Sequence, residues 1–143
     1  MSKKAFLDTD TLLDACLSGR PDWAYVDLLL DDVASGELEA YIAASSLKEA
    51  CNALTERIGE KAARELAAAS IIAFNIIEVS AATFRIALES DEPDFADAII
   101  RACAESAHVD FIISRKENAF RKSPIKRLSA QDYVDLFSNS DMA

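Results

Sequence analysis

The chain has 143 residues, 51% of them apolar, which is the length and composition of one domain with a real core and argues against a second full domain. Twenty-five Asp and Glu against fifteen Lys and Arg leave a net charge of -10, which excludes a generic basic nucleic-acid binder and a protein drawn to anionic membranes. Three Gly, three Pro and no biased tract exclude collagen-like or low-complexity structure.

Ala5, Phe6 and Leu7 form a short apolar run that stops at Asp8, the pattern of a buried strand with a carboxylate at its tip. A helix is expected to start through Thr9 to Thr11, with Asp10 able to cap it. Its apolar positions Leu12, Leu13, Cys16 and Leu17 recur at three and four residues before Gly19, Arg20 and Pro21 stop it. From Asp22 a second helix carries Trp23, Val26, Leu29, Leu30 and Val33 on one side up to Gly36. Residues 37–43 read as the second strand. Ser45 or Ser46 caps a third helix with Leu47, Ala50, Cys51 and Leu54 inward, Ser46 and Glu49 have the spacing of a capping box, and Gly59 ends the helix. Residues 60–74 are Ala-rich and helical, 76–79 form a short strand, and Ser80 caps a helix toward Leu88.

Pro93 and Asp94 open a helix to about His108, with Asp94 and Asp97 at the positions that satisfy its free amides and Phe95, Ala98, Ile99, Ala102 and Cys103 along its inner side. Phe111, Ile112 and Ile113 repeat the buried-strand pattern, 125–128 form a last short strand, and 129–137 a final helix. Strands separated by helical patterns imply an α/β fold, a three-layer sandwich with a mainly parallel sheet of four to five strands. Ligands in such folds sit at the C-terminal ends of the strands, where Asp8 and Ser114 fall. Residues 1–138 read as a single domain and 139–143 as a short polar tail.

Cys16, Cys51 and Cys103 are odd in number and far apart, and one His, His108, cannot complete a thiolate zinc site. The cysteines are expected as small buried apolar residues, and His108 as a partner for a helix C-terminus. The apolar run near the start is too short for a signal peptide core and the longest nearly uncharged run, 66–77, is short of a bilayer span, so a reducing cytoplasm is the expected location, with no membrane partner. There is no Ser-His-Asp set and no Gly-rich phosphate loop.

The chemistry therefore rests on carboxylates: Asp8, Asp10, Glu49, Asp94 and Asp97, which can converge only through the fold. An acid at the inner end of a central buried strand must be compensated, and a hard cation is one compensator. Three or four carboxylates without His or Cys select Mg2+ or Mn2+, which activates water and screens a phosphodiester.

F-L-D-T-D-T-L-L-D at Phe6 to Asp14, S-S-L-K-E-A at Ser45 to Ala50, D-F-A-D-A-I-I-R-A-C-A at Asp94 to Ala104 and V-D-F-I-I-S-R at Val109 to Arg115 together resemble, in order and over nearly the whole chain, the motifs of the PIN-domain family. That family is a metal-dependent ribonuclease fold that includes the VapC-like toxins of toxin–antitoxin pairs. The resemblance implies a sheet order of 3-2-1-4-5 and a Mg2+ or Mn2+ dependent endoribonuclease. It gives Asp8, Glu49 and Asp97 as catalytic metal-binding acids, an RNA substrate, an antitoxin partner and a homodimer, for which Trp23 and 28–30 or 62–69 could supply surface. The chain departs from the family where its Asn is Asp10, where Thr-Arg-Asn reads Ser114-Arg115-Lys116, and where an acid before Phe120 is Ala119. Either Asp10 and Glu117 rebuild a four-acid site, or the site binds metal weakly and the chain is a binding module.

Arg115, Lys116, Arg121, Lys122, Lys126 and Arg127 stand in one segment with a single acid, Glu117, and Ser114, Arg115, Lys116, Arg121 and Lys122 are the candidate substrate contacts. Such a strip suits a phosphate backbone, an acidic antitoxin segment, or simply solvent. D-T-D-T-L at Asp8 to Leu12 is also similar to the D-x-D-x-T opening of haloacid-dehalogenase-like phosphatases, but the required Thr position is Leu12.

Overall fold

Alternation along the first strand separates two cores. In β1 (Lys3–Leu7) Ala5 and Leu7 point to one side and Phe6 to the other, and all three are fully buried. A strand buried on both faces must be flanked by strands on both edges and helices above and below. β1 accordingly lies at the centre of a sheet with β2 (Leu38–Ala43), β3 (Asn75–Ile77), β4 (Phe111–Ile113) and β5 (Lys126–Leu128), in the order β3-β2-β1-β4-β5. Every neighbouring pair is parallel, with Phe6 in register with Tyr41 on one side and Ile112 on the other. This is the expected α/β/α sandwich, here in a computed structural model that describes residues 2–17 and 19–138. The expected tail, 139–143, lies outside the described residues.

The helices are α1 (Thr9–Cys16), α2 (Trp23–Ser35), α3 (Ala44–Ile58), α4 (Glu60–Ala73), α5 (Ala81–Glu89), α6 (Phe95–Ser106) and α7 (Ala130–Tyr133), the last running into a π-type turn, Val134–Ser138. Leu12, Val26, Leu29, Ala50 and Tyr133 fill the core on the Leu7 face, and Ile100, Cys103, Ala104 and Phe120 the core on the Phe6 face. Each fully buried Leu or Phe contributes on the order of 2 kcal/mol before entropy is counted. Gly36 ends α2 in the left-handed conformation, φ 85°, that a side chain would resist. No helix among the described residues is long and apolar enough to cross a membrane.

Several local expectations are corrected. Asp8, not Asp10, caps α1: its carboxylate accepts from the Thr11 amide at 2.9 Å. The capping box of Ser46 and Glu49 does not form, because α3 begins directly off β2 at Ala44 and places Ser46 inside the first turn, its hydroxyl 2.8 Å from that of Thr9. Asp94 does cap α6, accepting from the Asp97 amide at 3.0 Å. α6 stops at Ser106, and exposed His108 lies beyond it at φ 54°, outside the helix. β3 starts one residue earlier than expected and β5 one later. Phe95 is exposed and stacks on Phe84 at 6.2 Å, and Trp23 is exposed too, since the first residue of a helix overhangs the layer that its later turns cover. Cys103 is buried as expected, whereas Cys16 and Cys51 are only half-buried.

Candidate active site

The end of β1 is tied to the end of β4. The Asp8 amide donates to the Ile113 carbonyl at 3.2 Å and the Thr11 hydroxyl donates to the same oxygen at 3.1 Å. The chain turns there into α1, so Asp8 is held at the rim of the sheet with only 3% of its surface exposed. Burial pushes its carboxyl above the ordinary aspartate value, while hydrogen bonds from the Ser114 hydroxyl and the Thr11 amide oppose the shift without cancelling it.

Three other acids share a cleft with it. Asp10 from the first turn of α1, Glu49 from α3 and Asp97 from α6 line, with Asp8, Thr9, Ser45 and Lys116, an open cleft of about 210 Å³. Asp97 is buried and Glu49 exposed. Asp94 and Glu117 do not line this cleft. They border an adjoining groove with Pro93 and Asn118 that shares Asp97 and Lys116 with the cleft, and Asp94 caps α6.

Two of the four acids already meet a cation. The Lys116 ammonium stands 2.9 Å from a carboxylate oxygen of Asp97, and Arg20 reaches Asp10 at 3.6 Å. Burial alone would lower the Lys116 pKa, but the hydrogen bond to Asp97 and the charges of Asp97, Asp8 and Asp10 hold it above the ordinary lysine value.

The basic segment after β4 is less free than its composition indicates. Arg115 binds Asp14 through two nitrogens, at 2.9 and 3.1 Å. Asp14 is wholly buried on α1 and also accepts from Arg20 at 2.8 Å. Sequence reading missed this pair, although Asp14 one turn after Asp10 was its signal. Arg127 donates to the Ser114 carbonyl at 2.7 Å, and Ser114 is completely buried, so its hydroxyl supports Asp8 and cannot meet a substrate. Arg121, Lys122 and Lys126 remain exposed, and none lines the acid cleft.

A second network pins the loop that follows. Glu92, its side chain 2% exposed, accepts from the Phe120 amide at 2.9 Å and from Arg101 at 3.3 Å. Arg101 also donates to Asp91, Glu105 and the Lys122 carbonyl, and Ser123 donates to Glu105. Phe120 is thereby held at φ 64°, with Ala119 and Phe120 packed into the core. Ala119, where the resemblance expects an acid, packs into the apolar core and also borders the groove of Asp94 and Glu117.

The all-oxygen donor set of Asp8, Asp10, Glu49 and Asp97 fits a hard divalent ion in kind. Among the described residues, though, no three His, Cys, Asp or Glu side chains already stand in position to hold one, and the cation that Asp97 meets is an ammonium. Leu12, the position at which the phosphatase motif requires Thr, is fully buried in the core.

Comparison with known proteins agrees with this architecture. A toxin–antitoxin complex from Klebsiella pneumoniae is 22% identical, covers 88% of this chain and 97% of its own, and superposes with a TM-score of 0.66. The VapC20 toxin of Mycobacterium tuberculosis, a sarcin-ricin loop cleaving toxin, is 19% identical over 78% of this chain and 89% of its own, with a TM-score of 0.63. FitAcB from Neisseria gonorrhoeae is 15% identical over 89% and 98%, with a TM-score of 0.67. At such identities these likenesses speak to fold. No curated protein matches the chain. In sequence, residues 4–117 match the PIN domain, a span that runs from β1 through Lys116 and holds all four acids of the cleft; the chain belongs to the PIN-domain family.

Proposed function

We propose that the chain is a metal-dependent endoribonuclease, the toxin of a toxin–antitoxin pair. The observation that carries the reading is the convergence of Asp8, Asp10, Glu49 and Asp97, from segments far apart in the chain, on one cleft at the C-terminal edge of the sheet. Membership of the PIN-domain family and the toxins among the similar folds support it.

Asp8, Glu49 and Asp97 would hold the ion, with Asp10 as a fourth oxygen donor. Bound there, Mg2+ or Mn2+ lowers the pKa of a water and offsets charge on the phosphodiester. The protein's own part is to hold Asp8 desolvated and oriented through Thr11 and Ser114, so that it enters the cleft as a fixed acceptor. Arg121 and Lys122 are the exposed bases of the following loop and the candidates for RNA phosphates. Cleavage of single-stranded RNA that needs Mn2+, stops with chelator and is lost in Asp8→Asn tests the reading. Equal cleavage by Asp8→Asn would overturn it.

An antitoxin has an apolar place to bind: a groove of about 530 Å³ between α1, α2 and α4, lined by Leu12, Cys16, Leu30, Leu66 and Phe74 and holding the buried, unpartnered hydroxyl of Ser70. For a homodimer, the exposed apolar side chains include Trp23 at the start of α2, Ile58 on α3, Ile71 and Ile72 on α4, and Phe84, Ile86 and Leu88 on α5, with Phe95 and Leu136, whereas Leu28 and Leu30 pack on the core. Action on RNA in a toxin–antitoxin pair goes with a cytoplasmic location.

The second reading, a PIN-domain binding module without catalysis, is favoured by the Lys116–Asp97 contact. It expects no rise in melting temperature of the wild-type protein in millimolar Mn2+, because a ligand that does not bind the native state cannot stabilise it.

A further inference from the structure

We propose that the Lys116 ammonium is the resident cation of the acid cleft, a tethered counter-ion that a divalent ion must displace from Asp97 before it can enter. The inference rests on reading the cleft as a metal site and adds what governs access to it.

The contact is built by the fold. Lys116 follows β4 by three residues; its amide donates to the buried Ser114 hydroxyl at 3.1 Å, and its carbonyl accepts from the Ala119 amide at 3.2 Å. The next residues cannot drift, since Ala119 and Phe120 are buried and the Phe120 amide is held by Glu92. A side chain anchored on both sides of its backbone projects into the cleft and ends 2.9 Å from Asp97 Oδ1. Asp97 has little choice of partner, because its carboxylate sits on the first turn of α6 with about a tenth of the side chain exposed.

The charges show what a metal ion meets. Four carboxylates line the cleft; Arg20 already attends Asp10, and Lys116 attends Asp97. An incoming divalent ion would share Asp97 with a positive group at hydrogen-bond distance, a repulsion that falls only if the lysine leaves. The lysine side chain is long, flexible and nearly half exposed, so it can leave without unfolding anything. Lys116 is thus a gate on metal entry.

The test is calorimetric titration of the full chain with Mn2+ alone, at low ionic strength, for wild type, Lys116→Gln and Lys116→Arg, with metal-free melting curves to confirm folding. Lys116→Gln is expected to bind Mn2+ at least tenfold more tightly than wild type, and Lys116→Arg, which keeps the charge, to stay within about threefold of it. Adding Asp97→Asn to Lys116→Gln should remove the gain. Equal or weaker Mn2+ binding by Lys116→Gln overturns the inference, and so does a gain that survives Asp97→Asn. The nuclease reading fails separately: if Lys116→Gln gains Mn2+ affinity but neither protein cleaves RNA, the gate stands and the nuclease falls. If wild type cleaves RNA with Mn2+ and Lys116→Gln binds it no better, the reverse holds.

Discussion

Arg115 grips Asp14, 101 residues earlier in the chain, through Nε at 2.9 Å and a terminal nitrogen at 3.1 Å, joining the loop after β4 to the buried side of α1. Asp14 has no exposure to solvent, so removing its bidentate partner leaves a buried carboxylate with Arg20 alone. Breaking such a pair from one side is costly because the remaining charge is not rehydrated. Arg115→Met is expected to lower unfolding stability by about 2 kcal/mol, read from urea denaturation. An unchanged midpoint would show that Arg20 suffices.

The clasp on the 115–125 loop yields a second prediction. Glu92→Ala strips the Phe120 amide of its acceptor and removes one of the Arg101 ion pairs, at a residue in the left-handed region. The expected cost is about 2 kcal/mol, with faster hydrogen exchange at the Phe120 amide. Protection that persists in the variant would mean that core packing alone holds the loop.

Asp8 opposes stability where it is charged. Burial places its folded pKa above the unfolded one, so the native state binds the extra proton between the two values and stability falls as pH rises through that window. Asn carries no charge and still caps a helix. Asp8→Asn is therefore expected to melt at a higher temperature than wild type at neutral pH, with the gap narrowing as pH falls toward the ordinary aspartate value. A lower melting temperature at neutral pH would refute the sign.

Alkaline pH acts on groups on both faces of the sheet. Burial pushes the Cys103 and Cys16 thiols up to about 11, and burial together with the Asp32 carboxylate at 2.7 Å raises the Tyr133 hydroxyl. All three bind their protons more tightly when folded, so stability is full below the unfolded values and declines as pH climbs from about 9 to 11 and beyond. Melting curves across that range should show the decline, and Tyr133→Phe should make it shallower from a starting point about 1 kcal/mol lower. A slope unchanged by Tyr133→Phe would remove the tyrosine from the account.

The elements were legible because each rests on a local pattern. Apolar runs cut off by Asp8 and Ser114, the three-and-four spacing in α1 and the Asp94 cap of α6 are all visible within a few residues. The family was legible for a similar reason, four short motifs in order, and the match over residues 4–117 bears it out. Caps were less legible. Ser46 and Glu49 have the spacing of a box, yet β2 runs into α3 without a turn, and the spacing then lies inside the helix.

The long-range partners of the charged side chains were not legible. Six bases in one segment look like a strip for a polyanion, but Arg115, Lys116 and Arg127 are turned inward onto Asp14, Asp97 and the Ser114 carbonyl. Composition counts charges without knowing which are desolvated together, and a charge near a buried opposite charge is pulled to it. By itself the sequence determined the parallel α/β layout, the family and the acids available to the cleft. Only the tertiary structure brought Asp10 onto one cleft with Asp8, Glu49 and Asp97, put Asp94 and Glu117 on the adjoining groove, and stood a lysine on both. Periodicity and capping act over a few residues of chain, whereas electrostatic pairing depends on distances in space that only the packed sheet sets.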